Sequence, residues 1–413
     1  MADFHQNGNI AQFHNLRTRS LEELEYELTT FAQTRKISLI LPCLYSELEG
    51  PALRNILQEV AQVPYLNHIV IGLDRATEAE FRHAREFFSV LPQPHTVVWN
   101  DSPRMQAVGE RLALKGLAPQ EPGKGKNVWS CIGFLLACAD SSVVALHDCD
   151  ITTYSKEMLA RLVYPVAHPG FSYQLSKGFY ARIGSGKLNG RVSRLLVSPL
   201  LIALKRTIGD RDYLDYLRSF RYPLSGEMAM RTPLLADLRI PSDWGLEIGV
   251  LSEAWRNLGR KAVCQVEIAD NYDHKHQGVS EEDAATGLNR MSTDICKAIF
   301  RKLAADGTVF TPNVFRTLKA TYYRSALDLL EAYDHDAVMN GLNMDRHSEE
   351  KLIELFANNI VTAGQVFLEK PHETPFIPNW NRVHAADPSL LGDLKAAAAA
   401  DEAEFQAART TAK

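Results

Sequence analysis

Short apolar runs alternate with helical patterns through the first hundred residues of the chain. The runs span residues 37–41, 69–73 and 96–99, and the segments between them repeat apolar residues at helical spacing. We expect the first strand to end at Pro42, because proline lacks the N–H group that a strand donates. Strands that alternate with helices form a mainly parallel sheet with helices on its faces. The sequence therefore predicts an α/β fold that binds its ligand at the carboxyl ends of the strands.

Two carboxylates, Asp148 and Asp150, follow a further apolar run at residues 143–146. In an extended chain, residues two apart share a face, so both acids can converge on one point. Mg²⁺ and Mn²⁺ take oxygen ligands, and in phosphate chemistry one or two carboxylates commonly hold them while the substrate completes the shell. The pair therefore predicts a clamp for a metal-bound diphosphate. An acidic pair that merely caps the following turn would fit the bare motif equally well.

The composition is ordinary, and the charge indicates a small partner. The formal net charge of −5 argues against a general nucleic-acid binder. The six cysteines show no paired metal spacing and are too sparse for a disulfide scaffold, which fits a reducing cytoplasm. The chain has no basic-then-apolar leader and no apolar stretch of about 18 residues, so we expect neither secretion nor a membrane span.

A glycine-flanked lysine, Lys124, precedes an apolar helix predicted over residues 128–139. At a helix start, such a segment can offer a phosphate both backbone N–H donors and a positive charge. It is not a Walker loop, because the upstream glycine is missing and no Ser or Thr follows Lys126. A flexible surface loop is the alternative interpretation.

Three later segments carry further candidate residues. Arg191 stands beside a predicted helix start, where it could seat an anion or simply be solvated. Glu247 lies among apolar neighbours, and burying a carboxylate there is costly unless it has a partner. His274 and His276 follow an apolar stretch at residues 262–268; two imidazoles at this spacing can ligate metal, although most such pairs are surface residues.

The remaining segments predict the domain organisation. Residues 1–35 form an N-terminal extension, residues 36–280 the catalytic domain, and residues 281–413 a mainly helical region. The Ala-rich tail after Leu394 predicts a frayed helix or a flexible end. Because exposed apolar helix faces must be buried somewhere, we expect the helical region to form a homodimer.

An ordered series of motifs within residues 37–278 resembles the glucosyl-3-phosphoglycerate synthases and the related mannosyl-3-phosphoglycerate synthases, retaining glycosyltransferases of the GT-A fold. The motifs are Leu41-Pro42-Cys43-Leu44 with Glu47, Gly123-Lys124-Gly125, Asp148-Cys149-Asp150, Lys177-Gly178-Phe179-Tyr180, Gly190-Arg191-Val192-Ser193, Gly226-Glu227, Gly245-Leu246-Glu247-Ile248-Gly249 and His274. The resemblance implies a GT-A domain, with a Rossmann-like sheet flanked by helices and an α-helical C-terminal extension.

The resemblance also implies a role for each candidate residue. Asp150 and His274 would hold Mg²⁺ or Mn²⁺, and Glu247 would lie near the reacting sugar. Asp150 and Lys124 would join Glu247 as the catalytic group. The nucleotide-sugar donor would contact Pro42, Leu44, Glu47, Asp74, Lys124, Asp148 and Cys149. The phosphorylated acceptor would contact Gly190, Arg191, Ser193, Lys275 and His276.

The implied reaction is transfer of glucose from UDP-glucose or GDP-glucose to 3-phosphoglycerate, which gives a precursor of the compatible solute glucosylglycerate. The alternative within the family is transfer of mannose from GDP-mannose. This chain departs from the family at Tyr272 and His276, where an Arg and an Asn often stand, and at Arg75-Ala76, where a Ser-Gly is familiar. Losing a cation near the acceptor leaves room for another small hydroxy acid as the acceptor.

Two rival functions fit parts of the sequence. Residues 148–152 also match the Asp-x-Asp-x-Thr loop of haloacid-dehalogenase-type phosphatases, in which the first Asp is a nucleophile. That loop should follow the first strand, whereas several strands precede it here. A non-catalytic nucleotide-sugar-binding protein is the other rival, and the joint presence of Lys124, Asp150, Glu247 and His274 argues against it.

Overall fold

Nine strands pair into one sheet within the part of the chain that the computed structural model describes, residues 6–119, 122–274, 281–371 and 377–411. The strands β1 to β9 span Ala11–Phe13, Ile37–Leu44, Leu66–Asp74, His95–Trp99, Val143–Leu146, Leu175–Gly184, Lys187–Leu188, Met228–Arg231 and Val263–Tyr272. Their order across the sheet is β1-β9-β6-β8-β5-β2-β3-β4, and β7 pairs with β6. β8 runs antiparallel to β5 and β6, and β7 runs antiparallel to β6. The other pairs are parallel, which confirms the predicted mainly parallel sheet.

Helices cover the sheet and build the C-terminal third of the chain. The α-helices α1 to α15 in the described residues span Leu21–Ala32, Pro51–Val60, Glu78–Phe88, Pro103–Leu114, Lys124–Cys138, Lys156–Ala167, Ser198–Ile208, Asp212–Arg218, Thr232–Asp237, Leu246–Asn257, Glu281–Ala305, Pro312–Met339, Arg346–Glu369, Trp380–Ala386 and Leu390–Thr411. Short 3₁₀ turns occupy Tyr45–Glu49 and Arg260–Ala262, and a π-helical segment, Val192–Val197, leads into α7. None of the described helices is both long and apolar enough to cross a membrane.

The central strands are apolar throughout because both faces of the sheet are covered. Alternate residues of β2 enter different cores: Ile40 packs in one, and Leu39 and Leu41 pack in the other. β3 repeats this alternation with Val70 and Ile71. Strands buried on two faces are expected to be continuously hydrophobic rather than alternating. The apolar runs therefore follow directly from this layered architecture.

Pro42 does not end its strand, contrary to the prediction. β2 continues to Leu44, and Pro42 is in register with Gly72 of β3. The pairing of β2 with β5 stops at Ile40. Pro42 therefore has a strand neighbour on one side alone, where its missing N–H group is tolerated as at a sheet edge.

The described parts of the predicted N-terminal extension and C-terminal tail both contain regular secondary structure. Within the predicted N-terminal extension, β1 pairs in parallel with β9 and so belongs to the sheet. Of the two alternatives for the tail, the described residues take the helical one: α15 runs to Thr411, and its Leu390, Leu394 and Ala398 are buried. Two of its alanines, Ala397 and Ala398, are buried where α15 contacts α4, α5 and β4. The domain boundaries at residues 35 and 280 stay predictions.

Candidate active site

Strand direction brings the predicted site residues to one edge of the sheet. β2, β3 and β5 run parallel, and the two antiparallel steps through β8 make β6 and β9 run the same way. The carboxyl ends of all five strands therefore share one edge. Because β8 runs in the opposite direction, its preceding residues Gly226 and Glu227 also lie there.

Lys124 is the first residue of α5 and sits between two carboxylates. Its Nζ lies 2.6 Å from Asp148 Oδ1 and 3.3 Å from Glu247 Oε1. Burial acts to lower the pKa of Lys124, but the charges of Asp148 and Glu247 outweigh it and raise that pKa. Burial likewise acts to raise the pKa of Asp148, but Lys124 lowers it overall. The lysine is therefore a fixed cation, of the kind that stabilises charge on a departing phosphate.

Glycines allow the backbone to approach this cluster closely. A Cβ atom on Gly125 would lie 2.0 Å from the Pro241 carbonyl oxygen, and one on Gly226 would lie 2.5 Å from Asp148 Oδ2. The start of α5 thus packs directly on the segment that leads to α10, and this brings Glu247 to Lys124. Whether these glycines also offer N–H groups to a phosphate stays a prediction.

Asp150 and His274 lie close together although they are 124 positions apart in the chain. Ile151 and His274 form an isolated antiparallel bridge. The Thr152 N–H donates to the Asp273 carbonyl oxygen at 2.9 Å, which fastens the loop after β9 to the acidic loop. Burial and the charge of Asp148 raise the pKa of Asp150 to about 6, while His274 acts to lower it. The chain therefore returns beside the acidic loop, as joint coordination of a metal requires.

The described residues could supply some of the ligands of a metal ion. No cluster of three or more His, Cys, Asp or Glu side chains is arranged around one point among them. A carboxylate and an imidazole, Asp150 and His274, fit Mn²⁺ or Mg²⁺ if diphosphate oxygens and water supply the rest of the shell. The metal-binding roles of both residues stay predictions.

The predicted donor residues line the same edge near the ends of β2 and β3. Pro42 and Glu47 are half-buried, and Leu44 is 37% exposed. Asp74 Oδ1 accepts a hydrogen bond from Asn100 Nδ2 at 2.6 Å, and burial raises the pKa of Asp74 to about 6. Cys149 is buried, so its thiol faces the protein interior rather than solvent.

Three of the predicted acceptor residues, Gly190, Arg191 and Ser193, lie after β7, where the chain turns into the π-helical segment; residues 190–193 are called the acceptor turn below. Gly190 adopts a left-handed backbone with φ of +75°, which favours glycine, and Arg191 is exposed. Ser193 is buried, and its Oγ has no hydrogen-bond partner among the described residues. Lys275 and His276 lie outside the described residues.

A buried carboxylate that the sequence analysis gave no role, Glu227, lies beneath the site. It accepts hydrogen bonds from the hydroxyls of Tyr180 at 2.6 Å, Tyr272 at 2.9 Å and Ser225 at 3.1 Å. Tyr272 is buried and stacks on Tyr180, with ring centroids 3.8 Å apart. The departure from the family at position 272 therefore belongs to an internal packing cluster. The motif Gly226-Glu227 was a signal, but no pattern revealed its burial.

Arg182 is a second residue that sequence reasoning missed. Its guanidinium lies over the Tyr272 ring, 5.4 Å from the centroid, and donates to the Tyr222 hydroxyl at 3.2 Å. Its Nε is buried without a hydrogen-bond partner, and no carboxylate pairs with it among the described residues. A Cβ atom on Gly190 would lie 3.4 Å from the Arg182 Cβ. The Arg182 side chain, a cation, therefore lies against the predicted acceptor turn. In the sequence, only a strand β6 long enough to include Arg182 could have indicated this.

The phosphatase alternative finds no support in the structure. The acidic loop follows β5, the fifth strand in chain order rather than the first. Asp210 and Asp215, which imitate the later acidic motif of the phosphatases, both pair with Lys205, at 3.0 and 2.8 Å. These acids therefore join α7 to α8 instead of completing the acidic loop.

Solved structures of a glucosyl-3-phosphoglycerate synthase have the same architecture. The glucosyl-3-phosphoglycerate synthase of Mycobacterium tuberculosis, solved with Mn²⁺, uridine diphosphate and phosphoglyceric acid, superposes with a TM-score of 0.53 over 73% of this chain and 88% of that chain, at 22% identity. Its complex with Mg²⁺ and uridine diphosphate gives a TM-score of 0.51 over 71% and 86% of the two chains, at 23% identity. These likenesses confirm the predicted GT-A fold.

Sequence relatives extend over nearly the whole chain. None of the protein-family models that were compared matches it. The glucosyl-3-phosphoglycerate synthase of Persephonella marina is 46% identical over 404 residues, which cover 98% of this chain and 100% of the relative. The enzyme of the same name from Methanococcoides burtonii is 37% identical over 391 residues, 93% of this chain and 95% of the relative. This protein therefore belongs to the glucosyl-3-phosphoglycerate synthase family.

Proposed function

We propose that this protein transfers glucose from UDP-glucose to the hydroxyl of 3-phosphoglycerate, with retention of the anomeric configuration. The observation that carries the proposal is the position of Lys124 between Asp148 and Glu247, at the sheet edge where Asp150 and His274 also meet. The family relationship supports the sugar and the acceptor. The solved complexes of the Mycobacterium tuberculosis enzyme with UDP-glucose support the nucleotide.

The chemistry follows from the charges at this edge. The Lys124 ammonium is in place before the reaction and stabilises negative charge that develops on the diphosphate leaving group. Asp150 and His274 would hold Mg²⁺ or Mn²⁺, which offsets the same charge when bound. Asp148 pairs with the lysine and would contact the ribose or a metal-bound water.

Glu247 and the acceptor turn would orient the second substrate. Glu247 lies in the first turn of α10, and its contact with Lys124 holds its carboxylate at the site. It would orient the acceptor hydroxyl or the sugar by hydrogen bonding, a contribution of placement. Arg191, Ser193 and Arg182 would bind the phosphate of the acceptor, because guanidinium groups fit the geometry of phosphate oxygens.

A donor-by-acceptor activity matrix tests this function. UDP-glucose, GDP-glucose and GDP-mannose are each combined with 3-phosphoglycerate and with other small hydroxy acids, in Mg²⁺, Mn²⁺ or EDTA. We expect glucosyl-3-phosphoglycerate by product mass, loss of turnover in EDTA, and an α-linked product by NMR from the α-linked donor. Turnover with GDP-mannose alone would contradict the proposal, and a β-linked product would contradict retention.

We also propose that the protein works as a cytoplasmic homodimer. None of the six cysteines forms a disulfide, which fits a reducing compartment. Val338 and Met339 at the end of α12 are 72% and 80% exposed, an apolar pair that a second copy could cover. Light scattering across micromolar concentrations tests the dimer, and a monomer throughout would contradict it.

A further inference from the structure

A buried ion pair joins the acceptor turn to the C-terminal helical region. Arg194 follows the turn, and Glu349 lies near the start of α13, 155 positions later in the chain. The Arg194 guanidinium donates to both carboxylate oxygens of Glu349, at 3.0 and 2.7 Å. Each side chain is 8% exposed, so this fork-shaped pair is almost completely removed from water.

The same guanidinium also holds the turn itself. Its Nε donates to the Asn189 carbonyl oxygen at 2.9 Å, and Nη2 donates to the Leu188 carbonyl oxygen at 3.0 Å. The Arg194 backbone N–H closes the turn by donating to the Gly190 carbonyl oxygen at 3.0 Å. One side chain therefore fixes the carbonyl groups of the two residues that precede Gly190.

The C-terminal region supports this turn at two further points. The Tyr333 ring of α12 lies 5.0 Å from the Arg194 guanidinium carbon. The Asn343 N–H, between α12 and α13, donates to the Gly186 carbonyl oxygen at 2.8 Å, and Asn343 forms a bridge with Lys187. The tip of the short hairpin that leads to the acceptor turn is thus bonded to the helical region at Gly186 and Lys187.

A buried ion pair is weak evidence for a stabilising role, since well-packed apolar residues at such places often stabilise a protein as much or more. What a bidentate guanidinium adds is fixed geometry. Here that geometry is applied to the turn that presents the Gly190 backbone, the Arg191 side chain and the Ser193 hydroxyl.

We propose that Glu349, acting through Arg194, is a positioning residue for the phosphorylated acceptor, so that the C-terminal helical region is part of the acceptor site. This inference rests on the proposed function. Glu349 does not touch the acceptor; it orients Arg194, which in turn sets the position of the turn.

The test compares Glu349→Gln, the double variant Arg194→Met/Glu349→Leu, and the control Asp401→Asn. The control removes a buried carboxylate that pairs with Arg104 on another part of the C-terminal region, at 2.6 Å. We expect Glu349→Gln to raise the KM for 3-phosphoglycerate about tenfold, with kcat and the UDP-glucose KM changed less than about twofold. The double variant should regain thermal stability, because it leaves no unpaired charge, yet keep the raised acceptor KM.

Hydrogen–deuterium exchange of the substrate-free protein gives a readout that does not depend on activity. Amides of residues 186–194 should exchange faster in Glu349→Gln than in the wild type, and should be unchanged in Asp401→Asn. An unchanged acceptor KM, or equal kinetic effects of Glu349→Gln and the control, would overturn the inference. If the wild type does not use 3-phosphoglycerate, the proposed function fails; unchanged exchange in Glu349→Gln would then still refute the positioning role.

Discussion

The two acids of the Asp-x-Asp motif have different electrostatic surroundings. Asp148 is paired with Lys124, whose charge lowers the pKa of that carboxyl against the effect of burial. Asp150 makes no such ion pair among the described residues, and burial raises its pKa to about 6. A partly buried carboxylate without a cation is costly, and a divalent metal would remove that cost. We therefore expect Asp148 to serve the lysine and Asp150 to serve the metal.

We accordingly predict that Asp150→Ala abolishes metal-dependent turnover and leaves the fold intact. The expected loss is at least about a hundredfold in kcat, because the substitution removes a direct ligand. Glu49→Ala, which changes an exposed acid near the donor residues, is the matched control and should keep its activity. Kinetics at saturating Mg²⁺ or Mn²⁺, with thermal unfolding as the fold check, make the measurement. Wild-type activity of Asp150→Ala at saturating Mg²⁺ would refute the metal assignment.

The second prediction separates the two histidines of the loop after β9. His274→Ala should weaken Mn²⁺ binding and turnover together, whereas His276→Ala should mainly raise the acceptor KM. Imidazole binds metal only when neutral, so protons compete with Mn²⁺ and the Mn²⁺ affinity of the wild type should fall as the pH is lowered. Calorimetric titration of Mn²⁺ with UDP present measures both effects. Loss of metal binding in His276→Ala but not in His274→Ala would shift the assignment by two residues.

Arg182 and Arg191 should both serve the acceptor, although only Arg191 was predicted from the sequence. Arg191→Ala and Arg182→Gln should each raise the acceptor KM about tenfold or more and leave the UDP-glucose KM nearly unchanged, because a guanidinium fits a phosphate. Arg211→Ala, at an exposed arginine beyond α7, is the control. A larger effect on the donor KM than on the acceptor KM would show that the two pockets are misassigned.

For single residues, the sequence predicts which side chains lie at the site better than it predicts which side chains they contact. Asp74 and Asp148 could be placed at the sheet edge because each follows an apolar strand. The partners Lys124 and Glu247 come from two helices, so their contact depends on helix packing that no local pattern encodes. The pair of Arg194 and Glu349 lies further still beyond prediction, because its members are 155 residues apart.

Among the elements, β6, β8 and β9 are tied together by one buried carboxylate. Glu227 lies just before β8 and accepts hydrogen bonds from the hydroxyls of Tyr180 of β6 and Tyr272 of β9. Lys177 of β6 is also buried, and burial lowers its pKa to about 8. Burying charged and polar groups in such a network destabilises the fold unless each of them has a hydrogen-bond partner.

Removing single members of this network should therefore have unequal effects on stability. Glu227→Ala should lower the free energy of unfolding by about 3–5 kcal/mol, since it leaves the buried hydroxyls of Tyr180, Tyr272 and Ser225 without their acceptor and removes one of the negative charges near Lys177. Tyr272→Phe should cost only about 1 kcal/mol, the typical net value of one hydrogen bond. Urea unfolding of both variants measures the difference. Equal losses would contradict the view that the carboxylate organises the cluster.

Element boundaries and strand directions differed from the prediction where contacts with distant segments of the chain decided them. The apolar pattern predicted a helix from Val128, yet α5 begins at Lys124 because glycines let its first turn pack on Pro241. The antiparallel direction of β8 was not predicted, because a strand's sequence is compatible with either direction. Alternation of strands and helices was enough for the fold class, while strand order in the sheet depends on contacts between distant segments.

Over the whole molecule, the C-terminal region supports the catalytic sheet from two places. α12 and α13 contact the π-helical segment after the acceptor turn, while α15 contacts β4, α4 and α5. α5 carries Lys124, and the residues between β4 and α4 include Asn100, the hydrogen-bond partner of Asp74. The region is therefore joined to both the acceptor side and the donor side of the proposed site.

Removal of α15 should consequently impair the donor side more than the acceptor side. A chain that ends at Pro388 loses the buried Leu390 and Leu394 and leaves Arg104 without Asp401. Burying such side chains contributes about 1.5–3 kcal/mol each, so the midpoint of thermal unfolding should fall by several degrees or more. The UDP-glucose KM should rise more than the acceptor KM, because α15 packs on the helix that begins with Lys124. Leu394→Ala is the milder companion, with an expected loss of about 2–5 kcal/mol and no change in helix boundaries. An unchanged unfolding midpoint in the truncated chain would show that α15 contributes nothing to the fold.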